Sequence, residues 1–301
     1  MMNFDLNSIV CCPQCHNDFK ADSFYCNDCD INFDTRKKKT DQLDLRFINE
    51  KNYNYKQKLT ANKYKFNLPE EGDGVYSFNF GLYKNKNGFD FSSVKNKKKQ
   101  EKLLSWIPQN GGIAIDIGTS MDEGLSSYMK ISGHNLIRTD YDSCKADILL
   151  DVHSLPFKDN SIDLIINLAV MEHVEYPHIA GREFYRVLKK DGVLLTNVAF
   201  LQQQHDSSWY HFTHFGVYSW LTNSGFNPDK LLIDASGKRY HGIFTTSSLI
   251  GLPKLIKNII LYPVYFLHRI LWKLGGIKLG KDLEQQRHMQ TTGAINSVAI
   301  K

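Results

Sequence analysis

Two pairs of cysteines near the amino terminus have the spacing of metal ligands. "CPQC" covers residues 12–15 and "CNDC" covers residues 26–29, and a phenylalanine stands four residues after the second cysteine of each pair. Two such knuckles can offer four thiolates to one tetrahedral zinc ion, whose binding would stabilise a segment with little apolar content. Cys11 in place of Cys12, and less favourably His16, are alternative ligands, and redox-active or incidental cysteines are the alternative interpretation. The spacing predicts a structural zinc site with these ligands: Cys12, Cys15, Cys26 and Cys29.

Acidic residues end two apolar runs in the middle of the chain. In "AIDIGTSMDEG" (114–124) an apolar run leads into an acid and a turn that contains glycine, and the run at 135–140 ends in Asp140. A helix that starts after such a turn directs free N–H groups at a ligand, and an acid about twenty residues further on can bind ribose hydroxyls. The pattern predicts a nucleoside cofactor, with a plain strand-to-helix turn as the alternative.

The elements that must position these residues alternate along the chain. Helical patterns lie between several of the apolar, strand-like runs, which is typical of a parallel, doubly wound α/β sheet. The predicted helices cover residues 92–107, 122–132, 180–190 and 215–225. The predicted strands cover residues 112–118, 135–140, 147–151, 162–169, 192–199, 230–235 and 294–301.

A longer run of motifs carries a family resemblance. "DVHSLPFKDNSIDLIINLAVMEHVEYP" (151–177) is followed by "REFYRVLKKDGVLLT" (182–196). Four motifs follow one another here: an acid with Leu-Pro-Phe four residues later, an Asn-Ser-Ile-Asp strand start, Glu-His-Val and Arg-Val-Leu-Lys. They occur in the same order in the class I S-adenosylmethionine-dependent methyltransferases of the type 11 subgroup, which residues 100–235 resemble. The resemblance implies a Rossmann-like, mostly parallel seven-stranded sheet with an antiparallel last strand. It also implies S-adenosylmethionine as cofactor.

The resemblance assigns roles to residues around the first two strands. Asp116 and Gly118 match the positions that shape the methionine and ribose pocket, and Asp140 matches the acid that binds the ribose hydroxyls. Ser120 stands where the family's Gly-x-Gly pattern has its second glycine. Its hydroxyl can donate to the carboxylate of the cofactor.

Further positions match the adenine and acceptor sides of the family's site. Asp151 and Val152 match the pair that meets the adenine, and Leu168 matches the end of the fourth strand, which faces the cofactor and the acceptor. A nitrogen or oxygen acceptor also needs a base, and the segments after the fourth and fifth strands supply three candidates. These candidates are His173, His211 and His214.

The chain divides into three predicted parts. These are a zinc ribbon (1–47), a linker with a helical lead-in (48–105) and the methyltransferase domain (106–301), which contains an insertion at 236–293. The insertion must leave the sheet at the edge that carries the active site. Its segment 252–274 is rich in leucine, isoleucine and aromatic residues and carries several cations. It predicts either a buried lid or an interfacial helix that presents a membrane-bound or lipid-linked acceptor.

Composition and charge narrow the class of protein. The chain has 301 residues, 42% of them hydrophobic, and a net charge of +5. Lysine runs at 36–39 and 95–99 carry much of the excess and are typical of solvated faces, with nucleic acid or an anionic membrane surface as alternatives. The amino terminus has no secretory pattern, so we expect reduced cysteines and a cytoplasmic protein, with peripheral contact at the inner membrane face as an extension.

The sequence thus predicts S-adenosylmethionine-dependent methyl transfer to a small-molecule, glycan or lipid-linked acceptor. A ribosomal RNA methyltransferase is one alternative, because such enzymes also carry an amino-terminal zinc module. The acceptor loops lack the interleaved aromatic and basic residues that single-stranded RNA needs, which makes nucleic acid the less favoured partner. A catalytically silent binding protein is the other alternative, and Ser120 is the residue that keeps it open.

Overall fold

The computed structural model describes residues 5–34, 42–46, 107–108, 111–118, 133–202, 208–236, 253–277 and 287–301. The helices that lie wholly within these ranges are α1 (Pro177–Val187), α2 (His214–Asn223) and α3 (Lys254–Ile277), with 3₁₀ turns at Leu6–Ser8, Met171–His173 and Pro228–Lys230. Residues 287–291, just before the last strand, are also helical. The strands are β1 (Tyr25–Cys26), β2 (Ile31–Asn32), β3 (Leu43–Asp44), β4 (Gly112–Ile117), β5 (His134–Asp140), β6 (Ile148–Leu149), β7 (Ile162–Leu168), β8 (Leu188–Ala199), β9 (Leu231–Ser236) and β10 (Ala294–Ile300).

One mixed sheet forms the centre of the molecule. Its strand order is β3-β6-β5-β4-β7-β8-β10-β9, and β10 runs antiparallel to both of its neighbours, whereas the other neighbouring pairs are parallel. This confirms the predicted fold, with its mostly parallel sheet and antiparallel last strand. In addition to the seven predicted strands, the sheet contains β3, which comes from the amino-terminal segment and pairs with β6. β1 and β2 form a separate hairpin.

Helix α1 is amphipathic, and its end differs from the prediction. Its buried residues Ala180, Phe184 and Val187 recur every three or four positions. The pattern predicts a helix through residue 190, but Leu188 has extended backbone and already belongs to β8. Leu188 is fully buried and pairs with Ile162 of β7, so burial in the sheet overrides the helical preference of the two lysines that follow.

Helix α2 begins with a side-chain cap. Thr213 accepts a hydrogen bond from the amide of Gly216 at 3.0 Å, which satisfies one of the free donors of the first turn. The buried side of α2 packs on α1, where the indole of Trp220 donates to the carbonyl of Pro177 at 2.8 Å. Both helices therefore cover the same face of the sheet.

The two faces of the sheet carry separate apolar clusters because alternate residues of each strand point to opposite sides. Ile115 and Ile165 lie in the cluster under α1 and α2, and Ala114 and Ile166 lie in the other cluster. The amino-terminal segment joins the first cluster through these residues: Ile9, Val10, Cys12, Cys26, Phe33 and Leu45. The cysteine knuckles are therefore part of the main core.

The carboxyl ends of the parallel strands meet at one edge of the sheet, and the insertion also starts and ends there. Ala294, the first residue of β10, pairs with Ala199 at the end of β8 and with Ser236 at the end of β9. The chain therefore leaves the sheet after residue 236 and returns at residue 294 on the edge that carries the strand ends. Among the helices that the structure describes, none is both long and apolar enough to cross a membrane.

Some predictions fall outside the described residues. They are the linker at 48–105, the lysine runs, the helix at 122–132 and Ser120. The helix predicted for 92–107 also falls outside, apart from Ile107, which is buried in the second apolar cluster.

Candidate functional site

The four predicted zinc ligands come together at the tips of two knuckles. The sulfur atoms of Cys12, Cys15, Cys26 and Cys29 all lie within 4.8 Å of one another, and those of Cys15 and Cys26 are 3.6 Å apart. Tetrahedral zinc with Zn–S bonds of about 2.3 Å holds its sulfurs roughly 3.8 Å apart, so the group could hold a metal ion of this kind.

The two knuckles have matching backbone geometry. The residue after the second cysteine has a left-handed backbone in both, with φ of 62° at His16 and 53° at Asp30. The amide of Gln14 donates to the sulfur of Cys12 at 3.3 Å, the kind of hydrogen bond that stabilises a metal-binding thiolate. The two phenylalanines that follow the knuckles, Phe19 and Phe33, meet edge to face with ring centroids 5.6 Å apart. The repeated sequence pattern therefore corresponds to a repeated structure.

The alternative ligands Cys11 and His16 are not part of this group of thiols. Cys11 is fully buried and its amide donates to the carbonyl of Pro156 at 3.1 Å. Burial raises the pKa of the Cys11 thiol to about 12, as expected for an inert core thiol. The ring of His16 is turned toward Ser154, with Nε2 at 3.1 Å from Oγ.

The first knuckle lies against the loop that follows β6, residues 150–158, which we call the β6 loop. The hydroxyl of Ser154 donates to the carbonyl of Pro13 at 2.5 Å. The amide of Lys158 donates to the carbonyl of Ile9 at 2.8 Å, next to a bridge between Val10 and Phe157. Backbone and side-chain hydrogen bonds thus join the segment with the clustered cysteines to the loop that contains Asp151 and Val152.

A second contact from the amino-terminal segment reaches the turn after β5, residues 140–143, which we call the β5 turn. Arg46 is only 5% exposed, forms a two-pronged ion pair with Asp44 and donates to the carbonyl of Tyr141 at 3.0 Å. The amide group of Gln42 donates to the carbonyl of Ser143 at 2.9 Å. The same segment therefore supports both loops to which the resemblance assigns cofactor contacts.

Gly118 lies where β4 ends and the backbone approaches the next strand end. Its φ is 81°, a conformation that side chains disfavour, and its amide donates to the carbonyl of Thr139 at 2.9 Å. A Cβ at this position would collide with the side chain of Val170, just after β7. Ala169 beside it also has a left-handed backbone, with φ of 57°. Gly118 is the described residue of the predicted turn, and the residues that follow it lie outside the described part of the chain. Strained backbone at such an edge is typical of ligand sites.

Asp140 is the last residue of β5, as predicted. Its Oδ1 accepts hydrogen bonds from the amides of Asp142 and Ser143 at 3.0 and 3.1 Å. Both bonds end on the same oxygen, so Oδ2 accepts none of the hydrogen bonds described for this carboxylate. The β5 turn thus fixes the carboxylate through Oδ1 and so sets the direction of Oδ2, which is what a ribose acceptor requires.

Asp151 has a partner that the sequence interpretation missed. Asp151 is 6% exposed, and its Oδ1 lies 2.6 Å from Nδ1 of His153. Nε2 of His153 accepts a hydrogen bond from the amide of Tyr176 at 3.3 Å, so Nδ1 carries the proton and donates it to Asp151. The Asp-x-His spacing in "DVH" (151–153) is the signal that could have predicted this pair. The adenine contact assigned to Asp151 stays a prediction.

The remaining predicted cofactor residues lie at the same edge of the sheet. Asp116 is paired with Arg138 of β5, and its carbonyl accepts a hydrogen bond from the hydroxyl of Thr139 at 3.0 Å. Val152 is half-buried against the main core, and Leu168 ends β7 against the second cluster. Their contacts with a cofactor also stay predictions.

The acceptor-side segments form a connected surface at the ends of β7 and β8. The carbonyl of Glu172 accepts hydrogen bonds from the amides of Trp209 and Tyr210 at 2.7 and 3.2 Å, and Phe212 donates to Ala199 at 2.7 Å. His173 ends the 3₁₀ turn after β7, half-buried, and its amide donates to the carbonyl of Val170, the neighbour of Gly118. The segments that contain His173 and His211 are therefore brought together by backbone hydrogen bonds.

His214 differs from the other two candidate bases in its burial. It is the first residue of α2, is 8% exposed, and lies with its ring centroid 4.2 Å from that of Phe215. Burial lowers the pKa of His214 below the usual value of 6.5. The imidazole is therefore neutral at pH 7 and able to accept a proton.

A comparison with protein families matches the central part of the chain to a known domain. Residues 111–196 match the family model described as "Methyltransferase domain", type 11. The match begins just before β4 and ends inside β8, so it includes Gly118, Asp140 and Asp151. No curated protein matches the chain significantly.

Solved structures of methyltransferases are similar to the chain at low identity. The methyltransferase in complex with the Trm112 methyltransferase activator of Haloferax volcanii is 16% identical over 66% of this chain and 87% of that one, with a TM-score of 0.41. Phosphoethanolamine N-methyltransferase 2 of Haemonchus contortus is 15% identical, over 71% and 54%, with a TM-score of 0.43. A SAM-dependent methyltransferase of Archaeoglobus fulgidus is 13% identical, over 68% and 92%, with a TM-score of 0.43.

Proposed function

Because residues 111–196 form a domain of the S-adenosylmethionine-dependent methyltransferase family, we propose that this protein transfers a methyl group to a small-molecule, glycan or lipid-linked acceptor. The observation that carries the proposal is the edge at which Gly118 follows β4 with a left-handed backbone, packed closely against Val170, and Asp140 presents one oriented carboxylate oxygen.

S-adenosylmethionine, when bound, supplies a methyl group that is already activated on a sulfonium. The protein then contributes alignment and exclusion of water, which can lower a barrier by roughly 7–11 kcal/mol. Gly118 would hold the backbone close to the cofactor, and Asp140 would accept hydrogen bonds from the ribose hydroxyls. Asp151 and Val152, on the β6 loop, would face the adenine.

A base on the acceptor side would take the proton that a nitrogen or oxygen acceptor loses. His214 suits this role because its lowered pKa keeps it neutral at pH 7. His211 lies on the segment bonded to the end of β8, and His173 lies on the turn after β7, so both are further candidates.

The four clustered cysteines would hold a structural zinc ion. A site of four thiolates is closed, without an open position for substrate, and such ions contribute folding energy rather than catalysis. Its contacts with the β6 loop suggest that the ion also supports the cofactor site.

Isothermal calorimetry with S-adenosylmethionine tests the proposal, and Asp140→Asn is the variant of choice. Asparagine keeps an oxygen for the β5 turn but replaces the other oxygen by an amide that cannot accept. Because hydrogen bonds to charged groups contribute about 1.5–3 kcal/mol, affinity should fall by about tenfold or more.

Asp191→Asn is the matched control, since it removes a charge from a side chain that is 67% exposed and lies near the start of β8, away from the carboxyl ends of the strands. It should leave the dissociation constant within about threefold of the wild-type value. A wild-type protein that takes up no cofactor at millimolar concentration would refute the proposed function. Equal effects of the two substitutions would refute the role of Asp140.

A further inference from the structure

Helix α3 exposes an unusual amount of apolar surface. A row of residues spaced by three or four positions, which we call the outer stripe, lies along one side of the helix, with Pro263 at its middle. Side chains of the stripe are between 41% (Ile270) and 77% (Ile277) exposed. The apolar members of the stripe are Ile256, Ile260, Leu267, Ile270, Leu274 and Ile277.

The opposite side of α3 is the side that contacts the protein. Trp272 is 8% exposed, and the guanidinium carbon of Arg287 lies 4.0 Å from the centroid of its ring. Leu261 and His268 lie on the same side and are half-buried. A helix of a globular protein normally turns its apolar stripe to the core, whereas α3 turns it outward. These exposures disagree with a lid whose apolar side is buried over the site.

The charges of α3 are all of one sign. Between residues 254 and 277 the sequence has four basic residues and no aspartate or glutamate: Lys254, Lys257, Arg269 and Lys273. Arg269 and Lys273 are exposed. At 3.6 residues per turn Lys273 flanks the carboxyl half of the outer stripe, and Arg269 lies further round the helix, between Lys273 and Trp272. An apolar stripe flanked by cations is typical of helices that lie in the headgroup region of an anionic bilayer.

We propose that α3 binds the surface of an anionic lipid membrane, with the outer stripe in the boundary between headgroups and acyl chains. Two copies of this chain joined stripe to stripe would bring like charges together, which disfavours self-association. An anionic bilayer satisfies both the apolar stripe and the cations that flank it.

The position of α3 in the chain connects this surface with the sheet edge. The insertion leaves after Ser236 and returns at Ala294, both at the edge of the sheet where β8 ends. Membrane binding by α3 would therefore keep the strand-end edge near the bilayer. Membrane binding itself does not depend on the proposed function. The benefit of this placement for a membrane-borne acceptor does rest on it.

Co-sedimentation of the full chain with vesicles tests the inference. One vesicle type contains phosphatidylglycerol and phosphatidylcholine, and the other contains phosphatidylcholine alone. We expect stronger binding to the anionic vesicles and a decrease with added salt. A basic residue near an anionic surface strengthens binding by about fivefold, so Arg269→Glu with Lys273→Glu should weaken it by at least about tenfold.

Two further variants complete the experiment. Leu267→Glu with Leu274→Glu should abolish binding to both vesicle types, and because these side chains are 58% and 57% exposed, the chain should still fold. Lys20→Glu with Lys190→Glu makes the same change in net charge at exposed positions outside α3 and should bind like the wild type. Thermal melts of each variant separate lost binding from unfolding.

Three outcomes would overturn the inference. They are a wild type that stays in the supernatant with anionic vesicles at low salt, a control pair as impaired as the α3 pairs, and a dimer in sedimentation velocity that the leucine substitutions dissociate while vesicles bind nothing. Calorimetry with S-adenosylmethionine on the same samples keeps failure of membrane binding distinct from failure of the proposed function.

Discussion

The hydroxyl of Ser154 donates a hydrogen bond to the carbonyl oxygen of Pro13 at 2.5 Å, and this bond joins the first cysteine knuckle to the β6 loop. Since the hydroxyl proton points at Pro13, Nε2 of His16 is the donor in the 3.1 Å contact with the same oxygen. Pro13 lies between two of the clustered cysteines, and Ser154 lies three residues after Asp151. These two hydrogen bonds therefore connect the cysteine cluster with the loop that carries Asp151 of the candidate cofactor site.

Loss of the metal should weaken cofactor binding as well as the amino-terminal segment. Cys26→Ser removes one of four thiolates, and the knuckles then lose the cross-link that holds Pro13 and His16 against the β6 loop. We expect about one zinc per wild-type chain by elemental analysis, little in the variant, and a cofactor affinity lower by about tenfold, the effect of about one charged hydrogen bond. Cys144→Ser is the matched control, because this cysteine is exposed and lies outside the group.

Ser154→Ala tests the hydrogen bond to Pro13 separately from metal binding, with the same measurements. This variant keeps all four cysteines, so zinc content should stay at the wild-type level. A buried carbonyl that loses its donor costs about 1–3 kcal/mol, so the chain should melt earlier and bind the cofactor less tightly. If cofactor affinity is unchanged in both Cys26→Ser and Ser154→Ala, the amino-terminal segment does not support the cofactor site.

Much of the fold could be predicted because local patterns and tertiary structure agree. The strand predicted at 162–169 corresponds to β7, and the "CPQC" and "CNDC" knuckles bring their thiols together. Apolar runs of strand length, and cysteines two residues apart, have few other stable arrangements in a chain of this kind. The positions at the carboxyl ends of β4 and β5 then follow from the fold, since parallel strands end at one edge.

The rest depends on contacts between distant segments. β3 has two residues, too few for a pattern, and is a strand because Leu43 and Asp44 pair with β6. The end of α1 at Val187 is set by the burial of Leu188 between strands, which overrides local helix preference. The outward orientation of α3 could not be predicted either, because an amphipathic pattern shows which side is apolar but not which side faces the protein.

Arg46 provides a test of support for the ribose side of the site. Its guanidinium is buried, pairs with Asp44 through two bonds and donates to Tyr141 in the β5 turn, next to Asp140. Arg46→Lys keeps the charge but cannot form this planar fork, so urea unfolding should show a loss of about 1–3 kcal/mol. Calorimetry should also show weaker cofactor binding with zinc content unchanged.

Arg138→Lys is the comparison for Arg46. Arg138 also forms a two-pronged pair, with Asp147, but its side chain is 48% exposed. Exposed pairs contribute little because water screens them, so this variant should lose less than about 1 kcal/mol. If Arg46→Lys were as mild as Arg138→Lys, the β5 turn would not need support from the amino-terminal segment.

His214 makes the stability of the protein depend on pH in a defined direction. Burial lowers the pKa of His214, and burial together with the charge of Arg182 lowers the pKa of His178, both from 6.5. The unfolded chain therefore binds protons more readily than the folded chain as pH falls through 6.5, so acid favours unfolding. The free energy of unfolding should be constant above about pH 7.5 and should decline as pH falls below 6.5.

In His214→Gln this decline should be shallower, because one of the two histidines with a lowered pKa is gone. His268→Gln, on α3, controls for the loss of a histidine elsewhere. Urea titrations at a series of pH values measure the slopes, and a slope in His214→Gln as steep as in the wild type would show that His214 is protonated as readily in the folded chain as in the unfolded one.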